Sequence, residues 1–246
     1  MRHHIDHLSS STMEWTQLSD GVYCKMLNHN KDTGDRTGLF RFVPEEGANP
    51  PSVCHYHSVF EEIFILEGRM TFDHKTWLGE KGYVFHPPFA VHGFNSAVPE
   101  ETVFLARSPS DLDFNFPDVP EAKEPFFIDD KSSNRSITYL NPTQEDSWDT
   151  MHSPDEQSIG RRLVLNEDSI TGEGSSLIRY NSGVNLPAQP EGEETFNEGF
   201  ILSGHLVAED GTVWKAGDYW HRHAGKPVPA LEVSESTLMF SSLGPI

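Results

Sequence analysis

Four blocks of this sequence occur twice in the same order, and that duplication limits the fold more than any other feature. TGLFRF (37–42) returns as GSSLIRY (174–180), and EEIFILEGRM (61–70) returns as NEGFILSGHL (197–206). LGEKGYVFHPP (78–88) returns as WKAGDYWHRHAG (214–225), and TVFLARS (102–108) as TLMFSSL (237–243). The match pairs Arg41 with Arg179, Gly68 with Gly204, Gly82 with Gly217 and His86 with His221, at offsets between 138 and 135. Order kept over four blocks implies two copies of one folding unit.

Within each copy the segments are short, rich in β-branched and aromatic residues, and separated by Gly, Pro, Asn or Asp. GLFRFV, EIFILEG, RMTFDHKTW, GYVFH and TVFLA are examples. No window keeps a helical apolar period for three turns. Strands of about five or six residues at roughly ten-residue spacing predict an antiparallel sandwich or barrel. The expectation is therefore an all-β chain of two tandem β-barrels of jelly-roll type. The N-terminal domain is read at 13–110 and the C-terminal domain at 141–246. The linker at 111–140 is Pro- and Asp-rich, and its Phe114, Phe116, Phe126 and Phe127 predict that it packs on a surface.

The 246 residues carry 18 Lys+Arg against 38 Asp+Glu, a formal charge of −20. Such a surface argues against nucleic acid or an anionic membrane as partner, because either needs a basic patch. A small-molecule substrate is the expected partner. Two cysteines, Cys24 and Cys54, with no CxxC, point to a reducing cytoplasm, and Cys54 is expected to be a buried, inert thiol. The opening MRHHIDHLSSS lacks the apolar core of a signal peptide, and no apolar run is long enough to span a membrane. Its His3, His4 and His7 are set aside as a polar tail.

The chemistry concentrates at HYHSVFEEIFILEG, residues 55–68. Residues i and i+2 of a strand share a face, so His55 and His57 project together. Two imidazoles beside a carboxylate make an N/O site for a divalent transition metal. Alternation places Glu61, Ile63 and Ile65 on one face and Glu62, Phe64 and Leu66 on the other.

This stretch resembles the first motif of the cupin superfamily through His55, His57, Glu61 and Gly68, with Gly47 upstream. GYVFHPPFAVHGFN resembles the second motif through Gly82, Pro87 and His92. There the Gly-to-Pro interval is one residue short, Phe89 replaces the usual turn glycine, and Asn95 falls one position early. The resemblance implies two cupin domains, with His55, His57, Glu61 and His92 as metal ligands. It implies a divalent transition metal, iron(II) first, with manganese, nickel and zinc as alternatives. EEIFILEG and GDYWHRHAG are also similar to cupin domains of the ChrR type.

The second copy replaces the ligands. At an offset of 136, His55 falls on Glu191, His57 on Glu193 and Glu61 on Asn197, while Glu62 is retained as Glu198; near the end of the motif, where the offset is 135, His92 falls on Pro227. Glu61 thus disappears with the histidines, which marks it as the ligand and Glu62 as part of the scaffold. Glu191, Glu193, Glu194, His205, His221 and His223 leave a second acidic site conceivable. HRH at 221–223 matches HPP at 86–88 instead of HYH, so the C-terminal barrel is read as structural, a cover for the first and a candidate homodimer interface.

Three functions follow. The first is a metal-dependent dioxygenase acting on a small chelating or aromatic substrate, for which bicupin quercetin dioxygenases are the precedent by resemblance. The second is a redox-neutral isomerase, lyase or decarboxylase, with Glu62, His86 or Tyr83 as catalytic acid or base. The third is a non-catalytic sensor or binding protein. The repeat favours structural roles for His86 and Arg41. Trp77, Tyr83, Phe85 and Phe94 are candidate cavity walls, although aromatics in barrel strands are more often core.

Overall fold

The computed structural model describes residues 2–119, 123–142, 148–188 and 195–245. Its regular elements are antiparallel strands and short 3-10 turns, with no α-helix among the described residues. No helix is long and apolar enough to cross a membrane. The chain forms two compact units, Met1–Arg2 with Glu14–Thr143, and His3–Met13 with Gln144–Ile246.

The first unit is built on a seven-stranded sheet. Its order is Thr138–Leu140, Tyr83–His86, Glu61–Glu67, Thr102–Ser110, Gly34–Phe42, Val22–His29 and Thr16–Ser19. Two ribbons complete it, Met70–Thr71 with Trp77–Leu78 and Ala90–Val91 with Phe126–Phe127. Ile63, Ile65, Met70, Phe72, Leu78, Val84, Val98 and Phe104 form its core. Each such side chain, when fully buried, contributes roughly 1.5–3 kcal/mol. The segment read as a linker belongs to this unit, supplying both Phe126–Phe127 and the edge strand Thr138–Leu140.

The second unit repeats that strand order. Thr195–Ala208 lies between Asp218–Arg222 and Leu231–Pro245, followed by Gly174–Tyr180, Ser158–Glu167 and Asp149–His152. Its edge strand is Ile5–Ser9, paired with Asp218–Arg222. The N-terminal histidines are therefore no tail: His7 Nε2 lies 2.8 Å from Asp218 Oδ2 within a formed sheet. In each unit one glycine makes the same close approach. Gly68 and Gly204 have φ of +75° and +87°, and a Cβ at either would stand 2.3 Å from a backbone carbonyl, that of Glu101 or Ser236. The paired arginines also play one part twice, Arg41 lying over Trp15 and Tyr23 and Arg179 over Trp148.

The cysteines differ from expectation. Cys24 is the buried thiol, pushed up to about 11 by burial, whereas Cys54 is half-buried, in the irregular segment that precedes His55.

Candidate metal centre

His55 and His92 face each other as an antiparallel pair. The His55 N–H donates to the His92 carbonyl at 2.9 Å, and the His92 N–H to the His55 carbonyl at 2.8 Å. The His57 carbonyl accepts from the Phe89 N–H at 2.8 Å. Phe89 stands at φ +65°, so an aromatic residue takes the left-handed conformation that the turn requires, and the absence of glycine does not displace His92. The three imidazoles converge, with ring centroids 4.5 to 5.2 Å apart.

Each ring is oriented by a backbone carbonyl at Nδ1. His55 lies 2.8 Å from the Val53 carbonyl, His57 2.6 Å from that of Asp113, and His92 2.8 Å from that of Ala90. A carbonyl only accepts, so Nδ1 carries the proton and Nε2 keeps its lone pair. Nε2 of His57 and of His92 is buried without a hydrogen-bond partner. An orphaned acceptor of this kind costs about 1–3 kcal/mol, which a bound cation would remove. Burial, with His92 close by, lowers His55 to about 4, and burial likewise lowers His57. Both are held in the neutral form that ligates metals.

Glu61 approaches His92 from the strand Glu61–Glu67. Its Oε2 lies 2.9 Å from His86 Nδ1 and 3.5 Å from His92 Nε2. Burial alone would raise its carboxyl; the His86 ring, which donates to it, outweighs that and holds it well below the usual carboxylate range. The donor atoms fall into two groups that share His92: His55, His57 and His92, and Glu61, His86 and His92. Three imidazoles and one carboxylate fit iron, manganese, nickel or zinc better than a hard cation such as calcium.

His86 enters the site by a route that the repeat concealed. Burial lowers it to about 3, so it carries one ring proton. Its Nε2 lies 2.8 Å from the Tyr139 hydroxyl, and burial pushes that phenol up, which keeps it a donor. The proton order is thus Tyr139 to His86 Nε2, and His86 Nδ1 to Glu61. Aligned on glycines, His86 matches His221, but the ladders say otherwise. Glu61 pairs with His86 and Asn197 with Arg222, and Tyr83 donates to Glu62 as Tyr219 donates to Glu198, at 2.6 Å in both. The counterpart of His86 is Arg222, and the case for a structural His86 from a recurring histidine falls away.

Glu62 and Tyr83 lie elsewhere. Glu62 points to the opposite face of its strand, where it accepts from Tyr83 and Arg107, with Arg135 Nη2 3.8 Å away. Neither residue belongs to a metal-capable group. A cavity of about 410 Å³ opens on the site, reached by His55 and Glu61 and walled by Phe40, Phe72, Phe104 and Phe114. None of Trp77, Tyr83, Phe85 and Phe94 lines it; Tyr83 and Phe85 are core instead. Asp113, Phe114 and Tyr139 were missed as site residues because they come from the segment read as a linker. Its aromatic content was their only sequence signal.

Among the described residues, the second unit holds no metal-capable group of three. Glu191, Glu193 and Glu194 lie outside the described residues.

Gly93 supplies a direct test of the first site. Its φ is +81°, and a Cβ there would stand 2.8 Å from His55 Cε1 and 3.0 Å from Nδ1. Gly93→Ala is expected to tilt His55 off the Val53 carbonyl and weaken metal binding by about 10-fold or more, the loss typical of an outer-shell defect. Metal titration at wild-type affinity would show that Gly93 does not set the ring.

Residues 5–111 match the family model described as the ChrR cupin-like domain. No curated protein matches the chain. Among solved structures, a candidate dioxygenase from Nostoc punctiforme aligns with a TM-score of 0.74 at 17% identity, covering 97% of this chain and 82% of that one. A candidate glyoxylate-induced protein from Pseudomonas aeruginosa gives 0.62 at 14%, covering 98% and 88%. A mutant of Bacillus subtilis oxalate decarboxylase gives 0.55 at 15%, covering 97% and 76%. Likeness at these identities establishes the fold, which is of the cupin type.

Proposed function

We propose that the first unit is the catalytic centre of a metal-dependent dioxygenase, with His55, His57, His92 and Glu61 as ligands of one iron(II). The observation that carries this reading is the convergence of carbonyl-locked imidazoles, two with orphaned Nε2 atoms, at the end of an apolar cavity. The metal, when bound, supplies Lewis acidity and one-electron redox chemistry, which the protein's own side chains lack.

The chain contributes orientation and dryness. Val53, Asp113 and Ala90 hold the three rings by their carbonyls. His86 holds the carboxylate of Glu61, and Tyr139 holds His86. Phe40, Phe72, Phe104 and Phe114 exclude water and favour an aromatic or otherwise apolar substrate body. Glu62 and Tyr83 are assigned to the scaffold on this reading.

The fold of the oxalate decarboxylase relative supports a redox-neutral alternative, and one experiment separates the two. Protein reconstituted anaerobically with iron(II) is given a β-diketone or a catechol in an oxygen electrode. Dioxygen uptake in step with substrate loss is expected. Substrate loss without dioxygen uptake would establish the redox-neutral reading, and saturable binding of the probes with neither loss nor uptake would establish a sensor.

A further inference from the structure

We propose that the interior of the second unit binds a small carboxylate with an apolar or aromatic body. The cavity there has a volume of about 340 Å³, within the roughly 300–1,000 Å³ of ordinary ligand pockets. It is the counterpart of the first cavity. Phe42 and Tyr180, Met70 and Leu206, and Ala106 and Ser241 hold matching places in the two ladders and line their respective cavities.

What differs is the sense of the polar groups. Where the first unit sets Glu61 opposite His86, the second sets Asn197 opposite Arg222, and both line the cavity. The carboxylate suited to a cation gives way to a carboxamide, and the imidazole that held it to a guanidinium, so that donors suited to an anion face the cavity. Trp220 Nε1 donates to Asn197 Oδ1 at 2.7 Å, which fixes the carboxamide so that its N–H₂ faces away from the indole. Arg222 is 3% exposed. Its Nη1 donates to Asp6 Oδ1 at 2.9 Å and to the Pro227 carbonyl at 3.2 Å, and its Nη2 to the Asp6 carbonyl at 3.2 Å. Its Nε is buried and has no partner. A carboxylate would take that donor together with the Asn197 amide. Tyr180, Trp214 and Trp220 supply flat apolar walls for the rest of the ligand.

The test uses the full, metal-loaded chain, titrated with benzoate, hexanoate and benzamide while the Trp220 indole N–H resonance is followed. One of the two carboxylates is expected to shift that resonance saturably, with benzamide at least tenfold weaker than the tighter of the two. Asn197→Asp keeps the acceptor for Trp220 but turns the donor into a charge, and should weaken carboxylate binding at least tenfold while sparing benzamide. Arg222→Gln should weaken it similarly. His57→Ala, which disables the first site, should leave it unchanged. Failure of both carboxylates to saturate overturns the proposal, as does binding indifferent to Asn197→Asp or lost with His57→Ala.

Discussion

His92→Ala is expected to abolish stable binding of a divalent transition metal, and with it any turnover. His92 belongs to both groups of donor atoms, so its loss opens both at once. His86→Gln should behave differently, because His86 reaches the site only through Glu61. An outer-shell partner of this kind typically changes metal affinity by about 10–100-fold. A competitive metal titration checks the order: wild type strongest, His86→Gln weakened, His92→Ala without measurable binding. Equal losses in the two variants would mean that His86 is itself a ligand and that Glu61 is displaced from the set.

Glu62→Ala carries the second large effect, on stability instead of metal. Glu62 is 1% exposed, and its carboxylate faces the buried guanidinium of Arg107 and the hydroxyl of Tyr83. Removing one partner of a buried ion pair strands the other charge and typically costs about 3–5 kcal/mol. For a unit of this size that corresponds to a fall in unfolding midpoint of order 10 °C. Below the lowered midpoint the variant should still bind metal with near wild-type affinity, since Glu62 lies on the far face of the strand from the histidines. A folded Glu62→Ala protein that has lost its metal would refute that separation.

Much of this was legible in the chain. The strand pattern of GLFRFV and EIFILEG specified an all-β fold, and HYH at 55–57 marked two of the three imidazoles that the structure brings together. The loss of Glu61 alongside the histidines in the second copy separated it from Glu62, and the two carboxylates do face opposite sides of one strand.

Two features were hidden for physical reasons. Matching Gly82 to Gly217 slipped the register by one, because Lys81 takes the positive φ of the turn, at +68°, that Gly217 takes at +87°. The Lys81 N–H donates to the Ile65 carbonyl as the Gly217 N–H donates to that of Ile201. A one-residue slip exchanges every side chain for its neighbour on the other face, so His86 was matched to His221 in place of Arg222. The role of Tyr139 was hidden because it depends on the pairing of Thr138–Leu140 with Tyr83–His86, a contact far apart in sequence with no local signal.

The central claim is that one metal sits on His55, His57, His92 and Glu61. Elemental analysis of purified protein, loaded with iron(II) under anaerobic conditions and desalted, tests it most directly. A single metal ion per chain in the wild type and none in His57→Ala is the predicted result. Undiminished metal in a folded His57→Ala protein would contradict it.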